Sequence, residues 1–159
     1  MAGRKSQYNA VIDLPFGRFA VVADTSGLSS ISLVSPKSPL QPPDNMAARK
    51  VCQALRRYVR DPDMRFDLPL NVRGTDFQKK VWRALAKIPA GKPMTYGSLA
   101  KKLKTSARAV GGACRENPVP IVVPCHRVTS AVDHGGYMGQ TRGPAVLMKQ
   151  WLLSHEERD

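Results

Sequence analysis

Residues 117–128 have the sequence NPVPIVVPCHRV, which places a cysteine and a histidine directly behind an apolar stretch with three prolines. Proline fixes φ, removes a backbone donor and biases the preceding residue towards an extended conformation. The approach to Cys125 is therefore stiff and poorly suited to helix. Rigid mounting suits a nucleophile, because small errors in attack geometry forfeit much of the rate gained from orientation. The stretch predicts a buried, activated thiol.

Upstream, two short helices are predicted on either side of a tight turn. Thr95 opens the first, which buries Leu99 and Leu103, and Ser106 caps the second, which continues to about Arg115. Two short helices joined in this way form a candidate helix-turn-helix.

A longer helix precedes this pair, and another ends the chain. Thr75 and Gln78 form a capping box for the earlier helix, which Pro89-Ala90-Gly91 is predicted to end. The final helix is predicted from Pro144 to about His155. Its predicted apolar stripe is Val146 or Leu147, Trp151 and Leu152.

The first third of the chain has the alternation and tight turns of an antiparallel meander. Strands are predicted at 8–14, 18–23 and 29–34, followed by a helix that Asp44 or Asn45 caps. We therefore predict an α+β (α/β) fold with two domains. Residues 1–70 form a support domain with a three-stranded antiparallel sheet and a helix, and residues 71–159 form a helical domain that contains the helix-turn-helix and the active site.

Charge and cysteine usage narrow the function. The 159 residues include 25 Lys and Arg against 12 Asp and Glu, a formal net charge of +13, which favours a polyanionic partner. No apolar run is long enough for a membrane span and the N-terminus lacks an apolar signal core, so we expect a cytoplasmic protein. The three cysteines include no C-x-x-C pair, so neither a disulfide framework nor a metal site is expected. Cys52 is predicted to pack within the first helix.

Three segments together resemble the O6-alkylguanine-DNA alkyltransferase family: residues 117–128, RAVGGA at 108–113 and WLLSHE at 151–156. The resemblance is strong from about Gly74 to Glu156. It implies DNA repair in which the protein takes the alkyl group onto its own cysteine, irreversibly and once per molecule, without a cofactor.

The resemblance also implies roles for the residues around the thiol. Cys125 would be activated through a water by His126, with Glu156 fixing the imidazole tautomer, as in other nucleophile, base and orienter sets. Asn117 would brace the active-site turn. The substrate-binding residues implied are Tyr96, whose hydroxyl approaches guanine N3, the carbonyl of Val128, Tyr137 as a pocket wall, and the Met138 amide.

The second helix of the helix-turn-helix would be a recognition helix in the minor groove of duplex DNA. Its predicted DNA-binding residues are Arg108, Ala109, Gly111, Gly112, Ala113 and Arg115. Each mid-helix glycine costs about 1 kcal/mol relative to alanine, which either close helix packing or a bare surface for the groove would explain. Arg108 opposes the helix dipole, and the resemblance implies that it fills the space left by an extruded nucleotide.

Two features depart from the family pattern. The segment from Gly136 to Pro144 is longer than the usual glycine-rich turn, and Met138 stands where a small residue is common. Glu116 replaces a more usual glycine and adds an acid near DNA. The longer segment with Met138 bears on the preferred alkyl size, and Glu116 bears on the contact with phosphate.

Other functions stay open at this point. A non-enzymatic lesion sensor of the alkyltransferase-like kind binds the flipped base, but such relatives replace the cysteine that is intact here. A DNA-binding regulator with a merely structural thiol is a further alternative. A cysteine hydrolase is disfavoured by the adjacent Cys-His pair. We expect a monomer, with cooperation between molecules on DNA left open.

Overall fold

The computed structural model describes residues 7–131 and 143–157. The chain divides into two units between Arg73 and Gly74, whereas the sequence placed the boundary after residue 70. Each unit has its own secondary structure and buried residues.

The first unit contains a three-stranded antiparallel sheet. Its strands β1 (Ala10–Leu14), β2 (Gly17–Asp24) and β3 (Gly27–Val34) are adjacent in chain order. The turn into β3 requires glycine, because Gly27 has a φ of 125° and an added Cβ would lie 2.8 Å from the Pro69 carbonyl oxygen. The predicted meander is confirmed.

Helix α1 (Met46–Arg60) packs against this sheet. Of the two predicted caps, Asn45 is the one used: its side chain accepts a hydrogen bond from the N–H of Ala48 at 2.7 Å. Its amide also donates to the carbonyl of Ala23 in β2 at 2.8 Å, which ties the helix start to the sheet. Cys52 lies on the buried face of α1, as predicted.

The second unit begins with α2 (Asp76–Leu85) and its predicted capping box, in which Thr75 and Gln78 exchange hydrogen bonds of 3.0 and 2.9 Å. The prediction that this helix continues to Pro89 is wrong. The N–H of Ile88 bonds to the carbonyl three residues earlier, so the chain tightens into turns after α2.

Helices α3 (Tyr96–Leu103) and α4 (Ala107–Arg115) pack against each other and confirm the helix-turn-helix. Thr95 and Ser106 cap them as predicted, each accepting a hydrogen bond of 3.1 Å from a backbone N–H three residues on. Lys104 ends α3 in the left-handed region with a φ of 57°.

A short parallel pair joins β4 (Met94–Thr95) to β5 (Val128–Thr129). The sequence did not predict it, because two-residue strands carry no periodicity. The pair brings the start of α3 next to the chain that leaves the Cys-His segment, and this positions Tyr96 beside the candidate site.

Helix α5 (Pro144–Glu156) has the predicted limits but not the predicted stripe. Leu147 is 65% exposed and Val146 and Trp151 are half-buried. Leu152 is buried, as predicted, and the other buried residues recur with it at helical spacing: Ala145, Met148, Lys149 and Glu156. The predicted stripe missed this face because the face includes a lysine and a glutamate. The burial of these two charged residues depends on distant partners, which the local pattern does not show.

Candidate active site

Cys125 begins a single turn of 3-10 helix, Cys125–Arg127. Its N–H bonds to the carbonyl of Val123 at 2.8 Å, and the residue is buried. In an extended segment, the side chains of Cys125 and His126 would point to opposite faces. The segment is instead a 3-10 turn, so that geometry does not apply. The turn instead carries the thiol and the imidazole on one tight backbone loop.

The side-chain amide of Asn117 holds the chain before Cys125 through hydrogen bonds at both its nitrogen and its oxygen. Asn117 Nδ2 donates to the carbonyl of Val123 at 2.8 Å, and Asn117 Oδ1 accepts from the N–H of Val119 at 3.0 Å. Between them Ile121 has a φ of 76°, which is rare for a β-branched residue and costs about 1–3 kcal/mol. The surrounding bonds hold this strained backbone in place, so the entry to the thiol is fixed.

His126 and Glu156 form a buried pair, with Nε2 2.8 Å from Oε2 and side-chain exposures of 0% and 1%. Burial lowers the pKa of His126, and this outweighs the neighbouring carboxylate, which raises it. The ring is therefore neutral at neutral pH, and Nε2–H donates to the carboxylate. Nδ1 is buried and bonds to no described residue, so its lone pair is available to accept a proton.

Arg127 holds the same carboxylate and was missed by the sequence interpretation. Its Nε donates to Oε1 of Glu156 and its Nη2 to Oε2, both at 2.8 Å. Its Nη1 donates to the Ile88 carbonyl at 2.7 Å. This bidentate pair compensates the buried charge of Glu156 and fixes its plane. The position of Arg127 directly after the Cys-His pair was the available signal.

Lys149 is a second residue that the sequence interpretation missed. It is fully buried, and its ammonium donates to the carbonyl of Val128 at 2.7 Å and lies 5.6 Å from the ring centroid of Tyr96. The signal was a lysine on the apolar face of α5, where an unpaired charge is costly. Lys149 thus connects two residues to which the family resemblance gives substrate contacts.

Two further hydroxyl and thiol groups near Cys125 stay protonated. Burial, followed by the neighbouring Cys114 and Cys125, raises the pKa of Tyr96 to about 12. Burial, followed by Cys125, raises the pKa of Cys114 to about 12, whereas Lys149 lowers it. Tyr96 is therefore a hydrogen-bond donor at neutral pH, and Cys114 is a thiol rather than a competing thiolate.

Helix α4 exposes two of its six predicted DNA-binding residues and leaves three more partly accessible. Arg108 and Arg115 are exposed and Ala109 is half-buried. A Cβ added at Gly111 or Gly112 would meet no described atom outside the helix within 4 Å. Close helix packing therefore does not explain the two glycines, and the bare surface remains.

The placement of Ala113 on that surface is wrong. Ala113 is only 3% exposed. Its carbonyl accepts a hydrogen bond from the indole N–H of Trp82 at 2.8 Å. This contact packs α4 against α2, so Ala113 faces the interior. Tyr137 and Met138, with the longer loop, lie outside the described residues.

Comparison with known proteins identifies relatives along most of the chain. A family model described as 6-O-methylguanine DNA methyltransferase, DNA binding domain, matches residues 76–158. A methylated-DNA–protein-cysteine methyltransferase of Methanosarcina acetivorans is 35% identical over 156 residues, which cover 94% of this chain and 97% of the relative.

Solved structures of similar fold belong to proteins of the same description. The O6-methylguanine methyltransferase of Mycobacterium tuberculosis superposes with a TM-score of 0.78 at 33% identity, over 92% of this chain and 90% of that one. A complex of that organism's protein with DNA gives a TM-score of 0.76 at 35% identity, over 92% and 91%. Because the family model matches residues 76–158 and the Methanosarcina relative is 35% identical over nearly its whole length, the chain belongs to the methylated-DNA–protein-cysteine methyltransferase family.

Proposed function

We propose that this protein repairs DNA by transferring the alkyl group of O6-alkylguanine irreversibly to Cys125. The observation that carries the proposal is the buried His126–Glu156 pair, which leaves Nδ1 of the imidazole as a base directly after the cysteine in one 3-10 turn. The family match and the DNA complex of a relative support the substrate class.

The imidazole supplies the base that a thiol needs. A free thiol with a pKa of about 8.5 is mostly protonated at neutral pH, and only the thiolate is a good nucleophile. Nδ1 of His126 accepts the thiol proton through a water, while the hydrogen bond from Nε2 to Glu156 stabilises the imidazolium that forms. Arg127 keeps the carboxylate ionised and in line.

The transfer is an in-line displacement. The sulfur of Cys125 forms a bond to the alkyl carbon, the bond from that carbon to O6 breaks, and its electron pair stays with guanine. The thiol proton is then held at Nδ1 of His126, and the departing guanine takes up one proton from solvent, so that the charges balance. The product thioether is stable, so each molecule acts once.

Neighbouring residues assist the leaving base. The Tyr96 hydroxyl, which stays protonated, donates towards N3 and draws charge from the departing guanine. The carbonyls of Cys125 and Val128 accept from the exocyclic amine. Lys149 holds the Val128 carbonyl, which has a second lone pair for this contact.

Helix α4 delivers the base to the thiol. The open faces of Gly111 and Gly112 allow the helix backbone to approach the minor groove closely, flanked by Ala109 and Arg115. Arg108 is exposed at the helix start and fills the gap left by the extruded nucleotide. Extrusion costs a few kcal/mol, so occupying the gap stabilises the open state.

Reaction of the Cys125→Ala variant with duplex DNA that contains O6-methylguanine tests the proposal. We expect no transfer and unchanged DNA affinity, compared with a Cys52→Ala control that transfers normally. Loss of DNA binding in the Cys125 variant would instead indicate a structural thiol. Lesion binding by the wild type without any transfer would favour the lesion-sensor alternative.

A monomeric state, a cytoplasmic location and a supporting role for residues 1–70 also stay predictions. In residues 7–131 and 143–157, no helix is long and apolar enough to cross a membrane. Light scattering of the protein at working concentration measures the oligomeric state directly.

A further inference from the structure

A groove of about 730 Å³ lies in the second unit, and its described lining includes none of the side chains that the proposed repair chemistry uses. Its walls come from α2, the turns and loop that follow, and α3. Among its described lining residues are none from α4, and neither Cys125 nor His126 takes part. The groove is therefore separate from both the reactive thiol and the recognition helix.

The floor of the groove is apolar. It is formed by Ala84, Ile88, Met94, Leu99 and Leu103. Removal of such apolar surface from water by a bound partner is favourable. A concave apolar floor favours a ligand that inserts a hydrophobic side chain.

The rim of the groove is cationic. Five exposed side chains line it: Lys80, Arg83, Lys87, Lys92 and Lys102. Among the residues that the structure describes, no carboxylate lines the groove and none of the five cations forms an ion pair. Five like charges around one opening repel each other, and an anionic partner relieves this repulsion.

We propose that this groove binds an acidic segment of a partner protein that carries an apolar side chain as its anchor. Charge complementarity with the rim selects the acidic residues, and the floor receives the anchor. This inference is independent of the proposed repair chemistry.

Nucleic acid fits the groove less well. The described lining residues include no aromatic side chain, and aromatic side chains are the platforms on which bases stack. The phosphate backbone of a duplex has no apolar group to fill the floor. DNA contact is therefore the alternative outcome of the experiment rather than the expected one.

Fluorescence anisotropy with a labelled peptide of alternating glutamates and leucines tests the inference on the full chain. We expect binding, and roughly tenfold or more weaker binding for the double variant Arg83→Glu, Lys87→Glu. The matched control is Lys37→Glu, Arg49→Glu, which makes the same change in net charge at exposed residues of the first unit and should weaken binding less than about twofold. Replacing the leucines of the peptide by serine should weaken binding roughly tenfold.

Several results would overturn the inference. These are absence of peptide binding, equal weakening in both double variants, and equal affinity of the serine peptide. A loss of duplex DNA affinity confined to the groove variant, with displacement of the peptide by DNA, would assign the groove to DNA. Transfer of the benzyl group from free O6-benzylguanine to the protein, together with the circular dichroism spectrum, serves as the check that each variant is folded.

Discussion

Nε2 of His126 lies 2.8 Å from Oε2 of Glu156 in a part of the second unit where both side chains are buried. The carboxylate thereby fixes which imidazole nitrogen carries the proton, and Nδ1 becomes the base. Arg127 holds the same carboxylate through both oxygens. In the proposed mechanism, the activation of Cys125 therefore depends on Glu156, at the far end of α5.

Replacing Glu156 by Gln removes the charge that stabilises the imidazolium and fixes the tautomer. We expect the single-turnover rate of alkyl transfer to fall roughly 100-fold or more, with DNA affinity unchanged. The exposed neighbour supplies the control, because Glu157→Gln changes the same charge at the same helix end. Equal rates for the two variants would remove Glu156 from the relay.

The pKa of His126 gives the stability a pH dependence of known sign. Burial lowers this pKa in the folded state, so the unfolded state binds the proton more readily. The stabilisation is complete above the unfolded pKa of about 6.5 and is lost as pH falls through the lower folded pKa. We expect the free energy of unfolding, measured with denaturant, to decrease below about pH 6.5. A His126→Gln variant should show a shallower decrease, and an identical decrease would contradict the assignment.

Arg108→Ala tests nucleotide extrusion. We expect transfer from O6-methylguanine in duplex DNA to slow roughly tenfold or more, because the gap in the stack is no longer filled. Transfer from free O6-benzylguanine needs no extrusion and should keep its rate. Arg60→Ala, which removes an exposed arginine from α1, is the control. Equal slowing on the duplex and the free base would rule out the extrusion role.

The two glycines of α4 predict opposite effects on stability and binding. Gly111→Ala and Gly112→Ala should each raise the free energy of unfolding by about 0.5–1 kcal/mol, because the added methyl meets open space in a helix. Each should also weaken DNA binding, because the methyl keeps the helix backbone away from the groove. Denaturant unfolding and anisotropy with duplex DNA measure the two effects. A stabilised variant with full DNA affinity would show that the bare surface is not a DNA contact.

Local signals in the sequence predicted the parts of the fold that are determined locally. Thr75, Thr95 and Ser106 cap helices because each side chain reaches a backbone N–H three residues on, which depends on no distant partner. The antiparallel meander is likewise determined by neighbouring strands and tight turns.

Contacts between distant residues account for what the sequence did not predict. Lys149 is buried because its ammonium bonds to the carbonyl of Val128, 21 residues earlier. Arg127 reaches Glu156 across 29 residues, and Ala113 is buried through a hydrogen bond from Trp82. A polar residue on an apolar face, such as Lys149, indicates that a buried hydrogen-bond partner exists. The sequence pattern does not identify which residue that partner is.

In the proposed repair reaction, Cys125 alone accepts the alkyl group. Reaction with O6-methylguanine duplex DNA, followed by proteolysis and mass spectrometry of each cysteine peptide, tests it most directly. We expect one added methyl group on Cys125, with Cys52 and the protonated Cys114 unmodified. A methyl group on Cys114, or unmodified peptides for all three cysteines, would contradict the account.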